Sequence, residues 1–211
     1  KPKEFRAQAR NLPTLKPATS RLSNTSEAPP NLLRDEEGKH RFGADRPNEL
    51  RVTDVTEFRI PAGKVYLSPI VGCFDGMPSS WSISTSPDAE MANSSLIGAC
   101  GWLNEGDRPT ARSDRGGRCR WPGWVRTCRE NGLVRLMSRK GRGPDNARRE
   151  GFFGRLRIEF FYGCDWSKVT IEEVMGMLNA YLRWYSDARI KSDLDYKSPM
   201  QYRRDLGLLA A

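Results

Sequence analysis

Between Leu50 and Thr85, three segments rich in β-branched and aromatic residues follow one another with only a turn between them. LRVTDVTEFRI runs into Pro61-Ala62-Gly63, KVYLSPIVGCF runs into Asp75-Gly76, and SWSIST follows. Turns this short join antiparallel neighbours, so the region predicts a three-stranded meander. Three such strands leave a sheet face to be covered, and the next segment supplies a cover. Ser86-Pro87 reads as an N-cap with proline at the first helical position, opening a helix to about Leu103. Ala92, Leu96, Ala99 and Leu103 share one face of it, while Gly98 and Gly101 weaken its last turns.

Beyond it the pattern alternates. PTARSD reads as a short strand ending at Asp114, followed by a helix near 122–131 and the short strand LVRLMS. After the glycine-rich loop RKGRGP, Asp145 can cap a helix on which Phe153, Leu156 and Phe160 have core spacing. Thr170-Ile-Glu-Glu173 is a capping box. The helix it opens carries an apolar stripe of Ile171, Val174, Leu178, Tyr181 and Tyr185. Strands first, then strands alternating with helices, give an α/β fold with a mixed sheet. Residues 1–42, with their prolines, serines and scattered basic residues, read as a linker or loosely ordered arm, as though another domain preceded it. Residues 43–206 form the domain and 207–211 a tail.

The charge is unevenly placed. The chain holds 35 Lys/Arg against 26 Asp/Glu, but the segment 108–157 alone holds fifteen against four, so the whole basic excess lies there. A block of that kind suits a polyanion such as nucleic acid, or forms a solvated basic face. No apolar run approaches the roughly 18 residues of a membrane span and no signal-peptide pattern opens the chain, so an intracellular, soluble protein is expected. The five cysteines make no CxxC pair, against a disulfide framework or structural zinc. They read as reduced thiols. His40 is the single histidine, which disfavours hydrolases that need a histidine base.

Three acids stand apart from the general charge. Asp54 lies among Val52, Val55 and Phe58, Asp114 closes a strand before Arg115-Gly116-Gly117, and Glu150 sits on a helix among arginines. Singly these are an exposed edge-strand residue, a turn residue and a surface ion pair. Jointly, carboxylates on sheet and helix make an oxygen-ligand site for Mg²⁺ or Mn²⁺. Two such ions about 3.5–4 Å apart can clamp the attacking and leaving oxygens of a phosphoryl displacement. That chemistry needs no histidine.

Asp54 in VTDVTEF, Asp114 in SDRG and Glu150 in PDNARREGFFGRLRIEFF, with 35 residues between the last two, resemble the acidic triad of integrase-type DDE transposases. The likeness is to the catalytic (OrfB-type) subunits of insertion sequences, relatives of retroviral integrases. It extends through ADRPNE, YLSPIVGCFDG, WSISTSPDAE, MSRKG and RWYSDARIK…SPMQYRR. It implies an RNase H-like fold (a mixed five-stranded sheet flanked by helices), the triad binding Mg²⁺ or Mn²⁺ as two ions, and DNA cleavage and strand transfer. It also implies that Arg157, two helical turns past Glu150 with Gly154 between them, contacts DNA near the reactive end. Arg115, Arg139 and Lys140 are further DNA-binding candidates in the basic segment. The implied partners are element ends and target DNA, further copies of the chain, and an upstream helix-turn-helix subunit or domain. The implied setting is the bacterial cytoplasm, at the nucleoid.

Some positions depart from the family's usual residues: Arg51 for Trp, Gly72 for Asp, Arg112 for His, Cys119 for Tyr and Ser186 for Asn. Each exchange is reachable by one transition in a codon, the mark of a copy that has drifted. Arg51 is expected to disturb packing next to Asp54, and Arg112 to add charge beside the metal. The alternatives are an impaired remnant that only binds nucleic acid, and a nuclease that cuts without joining.

Overall fold

The computed structural model describes residues 44–113, 121–137 and 147–208, with the side chains of residues 137 and 147–150 outside that description. One mixed sheet holds six strand segments: β1 (Leu50–Thr53), β2 (Thr56–Ile60), β3 (Gly63–Gly72), β4 (Pro78–Ser84), β5 (Thr110–Ser113) and β6 (Val134–Met137). The meander is as expected, β4 pairing with β3 and β3 with β1 and β2, all antiparallel. β5 and β6 extend the sheet in parallel on the other side of β1. The helices are α1 (Ala89–Cys100), α2 (Pro122–Glu130), α3 (Ala147–Leu156), α4 (Ile171–Asp187) and α5 (Pro199–Asp205).

The sequence reads LRVTDVTEFRI as one strand, whereas the structure interrupts it at Asp54-Val55. Arg51 pairs with Gly72 and Thr56 with Leu67, so β1 and β2 keep a single register against β3 and are two halves of one strand. The sheet thus has the expected five strands. Cys73 N–H donates to Leu50 O at 2.8 Å, which places the hydrogen-bonded pairs of this ladder at Leu50, Val52, Asp54 and Thr56. In that register Asp54 faces Pro69, which has no N–H. One bond of the ladder therefore cannot form.

Side chains alternate across this strand, and each face has its own core. Leu50, Val52, Phe58 and Ile60 pack with Phe152, Leu156, Phe160, Val174 and Leu178 of the later helices. On the other face Ile70 and Ala111 pack with Ala92, Leu96 and Ala99 of α1 and with Trp124 and Cys128 of α2. Trp124 is a packing residue, and Cys73 and Cys128 are buried thiols outside any disulfide. Gly98 has a steric reason: a Cβ there would lie 2.3 Å from Ser80 Oγ, so α1 could not approach β4 as it does. The cap of α1 is Asp88, whose carboxylate accepts Met91 N–H at 2.9 Å, two residues beyond the expected Ser86. Both reciprocal bonds of the Thr170/Glu173 capping box are present.

The helix after Gly154 also differs from expectation. It leaves α-helical geometry at Arg157 and continues to Phe161 as a π-helical turn, in which Tyr162 N–H donates to Arg157 O at 2.6 Å. Phe152, not Phe153, is the fully buried ring, meeting Tyr185 of α4 edge-on at 5.3 Å. Phe153 is half-buried. On α4 the buried stripe is Val174, Leu178, Leu182 and Tyr185, with Ile171 and Tyr181 at its margin.

The end of the chain is tied to the β3–β4 turn. Asp75, fully buried, receives Arg203 Nε at 2.5 Å and Nη2 at 3.1 Å, and its backbone carbonyl receives Lys191 Nζ at 2.5 Å. A buried pair this well bonded is costly to break singly, because the surviving charge stays out of water. Asp75→Ala is expected to lose about 3–5 kcal/mol in urea denaturation. Asp75→Leu combined with Arg203→Met should recover most of that loss, and a double variant as unstable as the two singles summed would show the groups to be uncoupled.

A second tie joins the π-helical turn to the end of α4. Glu159 accepts both Arg189 Nε (2.8 Å) and Nη2 (2.6 Å) and the Tyr181 hydroxyl (2.9 Å). The Arg189 hydrogen bonds, and then that of Tyr181, hold its carboxyl below the ordinary range. A depressed folded value stabilises the fold above the unfolded carboxylate range, and the contribution fades as pH falls through the folded value. Denaturation midpoints taken from pH 7 down to 3 should therefore fall less steeply in Glu159→Gln than in wild type. Parallel slopes would remove Glu159 from the acid response.

Candidate active site

Asp54 occupies the gap in the central strand. It is half-buried, and its Oδ1 accepts the N–H of Val55 at 2.9 Å. By alternation from Leu50 and Val52 it belongs to the face of the sheet covered by α3 and α4, and α3 packs against β1. Glu150 lies on α3, its side chain outside the described residues. Val52 pairs with Arg112 of parallel β5, and in the sequence Asp54 and Asp114 each follow two residues later. Asp114 itself, Arg115, Arg139 and Lys140 lie outside the described residues. Among the described residues no three His, Cys, Asp or Glu side chains gather to hold a metal. Of the three acids singled out from the sequence, Asp54 is the one whose side chain is described, and its oxygen-donor chemistry fits Mg²⁺ or Mn²⁺.

Arg157 is brought to the same place. From the start of the π-helical turn its Nη2 donates to Thr56 Oγ1 at 3.1 Å, 101 residues away in sequence. Thr56 is buried where the strand resumes, two residues past Asp54, while Arg157 remains exposed. A cation is thus anchored beside the acid with its surface open. Sequence reasoning missed Thr56, because nothing local marks a hydroxyl whose partner is so distant. Between Glu150 and Arg157, a Cβ added at Gly151 or at Gly154 would meet nothing within 4 Å among the described residues. Among the described residues neither glycine serves packing, and Gly154, one turn from Glu150, leaves the helix surface bare on that side.

The two departures near the acid prove to lie on different faces. Arg51 does not disturb Asp54: it points to the opposite side of the sheet, where Nη1 donates to Ala99 O and Nη2 to Asn48 Oδ1, each at 2.6 Å. Burial pushes its guanidinium down to about 10, still charged at neutral pH. Arg112, register partner of Val52, is buried on the face of Asp54.

Two family patterns, both described as "Integrase core domain", match residues 44–143 and 150–206. The chain is 48% identical over 183 residues to the "Probable transposase for insertion sequence element IS1353" of Shigella flexneri, a match covering 87% of this chain and 35% of that protein. It is 37% identical over 162 residues to a transposase-like protein of Haemophilus influenzae, covering 77% of this chain and 74% of that one. The chain belongs to the insertion-sequence transposases with an integrase core. Its fold is that of the HTLV-2 integrase catalytic core domain solved in complex with magnesium, with a TM-score of 0.53 at 17% identity over 74% of this chain and 96% of that one. The RNase H-like α/β architecture expected from sequence is the one present. The chain spans about a third (35%) of the length of its Shigella relative. No helix among its described residues is long and apolar enough to cross a membrane.

The bare glycine at 154 generates an outcome that a packing role would not. Gly154→Ala should raise stability by about 0.5–1 kcal/mol, because alanine is the better helix former and meets no neighbour. The same variant should bind DNA several-fold more weakly, since its methyl stands where a backbone would approach. Denaturation and DNA titration on one preparation test both, and unchanged DNA affinity would reject the second part.

Proposed function

We propose that this chain is the catalytic core of a DNA transposase, cutting and joining phosphodiesters with divalent metal. The observation that carries the reading is the pairing of Asp54, at a break in the central strand facing α3, with an exposed Arg157 anchored two residues away on Thr56. Carboxylate and cation side by side suit a metal-bound phosphate.

Asp54, Asp114 and Glu150 would hold Mg²⁺ or Mn²⁺, as two ions. When bound, the metal supplies Lewis-acid neutralisation of phosphate charge and lowers the pKa of a bound water or DNA 3′-hydroxyl. The chain's residues do the rest. Arg157 binds a non-bridging phosphate oxygen and orients the phosphodiester for in-line attack, first by water and then by the 3′-hydroxyl. Gly154 admits the DNA backbone. The basic segment, with Arg115, Arg139 and Lys140, holds the duplex through its phosphates, so affinity falls with salt.

The expected setting is the bacterial cytoplasm at the nucleoid. Further copies of the chain would hold two element ends, and a helix-turn-helix unit upstream of an arm formed by residues 1–42 would read them. The drifted positions keep a second reading alive, a core that binds DNA without acting on it, and Arg112, buried on the acid face, is the residue that favours it.

Joining of a pre-cleaved end oligonucleotide to target DNA is expected with Mg²⁺ or Mn²⁺ and not with EDTA. It should fall at least about a hundredfold in Asp114→Asn. DNA binding that ignores EDTA, with no joining by either protein, would leave the binding remnant.

A further inference from the structure

A cleft of about 380 Å³ opens between α3 and the segment that leaves α4. Gly151 and Arg155 line it from α3, and Arg189, Lys191 and Asp193 from the other side, over Phe152 and Tyr185. Gly151 and Arg155 each lie one residue past Glu150 and Gly154, hence about 100° around the helix from the face of the acid. A DNA strand crossing the bare glycine surface reaches this cleft next.

Three cations line the cleft against one carboxylate, and two of them are held in place. Arg189 is fixed by its twin bonds to Glu159 and lies 5.1 Å above the Tyr185 ring. Lys191 is fixed by the Asp75 carbonyl at 2.5 Å, with Asp193 3.7 Å away. Cations already held lose little freedom on binding an anion. Glu159 and Asp193 offset part of that charge, so exposed Arg155 has most to give a phosphate.

The same segment then turns back on itself through a backbone bridge between Lys191 and Lys197. At the tip of this loop Asp195 and Tyr196 both take left-handed backbone angles, φ 53° and 56°. That conformation is unfavourable for a tyrosine, and the ring gains no burial from it, being 75% exposed. A constrained loop that presents an aromatic face to solvent beside a basic cleft has the parts of a single-strand binding surface, cations for the backbone and a ring for a base.

We propose that the cleft and the 191–197 loop dock an unpaired DNA strand next to the acid site. Arg155, with Arg189 and Lys191, takes its phosphates, and Tyr196 stacks on an exposed base. This rests on the reading of the chain as a DNA-joining enzyme, and it assigns the strand that leaves the reaction centre to a stated surface.

The test compares binding of a blunt end oligonucleotide with the same duplex carrying a short single-stranded overhang, across a salt series. Wild type should prefer the overhang. Tyr196→Ala should lose about fivefold or more in overhang affinity while leaving the blunt duplex unchanged. Arg155→Ala should lower the slope of log affinity against log salt by about one contact. Gly151→Leu, which fills the cleft from an open position, should mimic Arg155→Ala. Mn²⁺ titration and thermal unfolding should match wild type in the Tyr196 and Arg155 variants. Overhang affinity and salt slope at wild-type values in all three variants, from a protein that binds and joins DNA, would overturn the cleft alone. A wild-type protein that binds neither DNA would overturn the underlying reading as well.

Discussion

Pro69 cannot donate to the ladder at the point where Asp54 would accept, and this one absent bond decides how the sheet's middle is built. The strand does not end there, because Thr56 to Ile60 resume the same register against β3. It is opened locally while both ends stay paired. A carboxylate at such a gap is held by strand on either side, yet is only half-buried, which avoids the cost of burying an unpaired charge in a continuous apolar strand. The next alternate residue, Thr56, points to the same face and carries the hydroxyl that receives Arg157. Acid and cation are therefore positioned by one rigid element.

Strand alternation also explains why a buried arginine is tolerated one register away. Leu50, Val52 and Asp54 belong to the α3–α4 face, whereas Arg51 emerges among the helices on the other side. There it meets the carbonyl of Ala99 at the end of α1, which also accepts the N–H of Trp102 at 3.2 Å. Asn48, itself bonded to Asp107, supplies the second acceptor. A charge placed this way is costly to desolvate but hydrogen-bonded at both terminal nitrogens, and it lies across the sheet from the acid. Arg112 has no such separation, because its register with Val52 puts it on the acid face. Of the two arginines, Arg112 alone shares the face of Asp54.

The elements of this fold were legible wherever the determinant was local. The Thr170 capping box, the turn at Asp75-Gly76 and the paired apolar runs each carry their signal within a few residues. Where partners are distant the signal fails. The break at Asp54 is caused by a proline fifteen residues later in another strand. The choice of Phe152 over Phe153 depends on Tyr185 of α4, since either phenylalanine satisfies helical spacing against Leu156. The hydrogen bond of Arg157 to Thr56 spans 101 residues, and the π-helical turn has no composition of its own. At the candidate site, spacing and resemblance named Asp54 and Arg157. Their common anchorage on one strand could come only from the register.

The buried pair of Asp75 and Arg203 extends this logic to the end of the chain. Asp75 looks from sequence like the polar residue of a hairpin turn, a position that solvent would satisfy. Here it is fully buried, and three elements converge on it: its own turn through Met77 N–H, α5 through Arg203, and the segment after α4 through Lys191. Lys191 also lines the cleft beside α3. The residue that closes the β3–β4 turn thus fixes one wall of a basic surface next to the acid-bearing helix. Glu159 fixes the other by holding Arg189. Glu159 partly neutralises Arg189, and Asp193, 3.7 Å from Lys191, partly neutralises that lysine, so both cations serve mainly as a frame. The exposed charge left to meet a phosphate is Arg155, one helical turn from Gly151. In the proposed docking, such a surface gains affinity from geometry already established by folding as well as from charge.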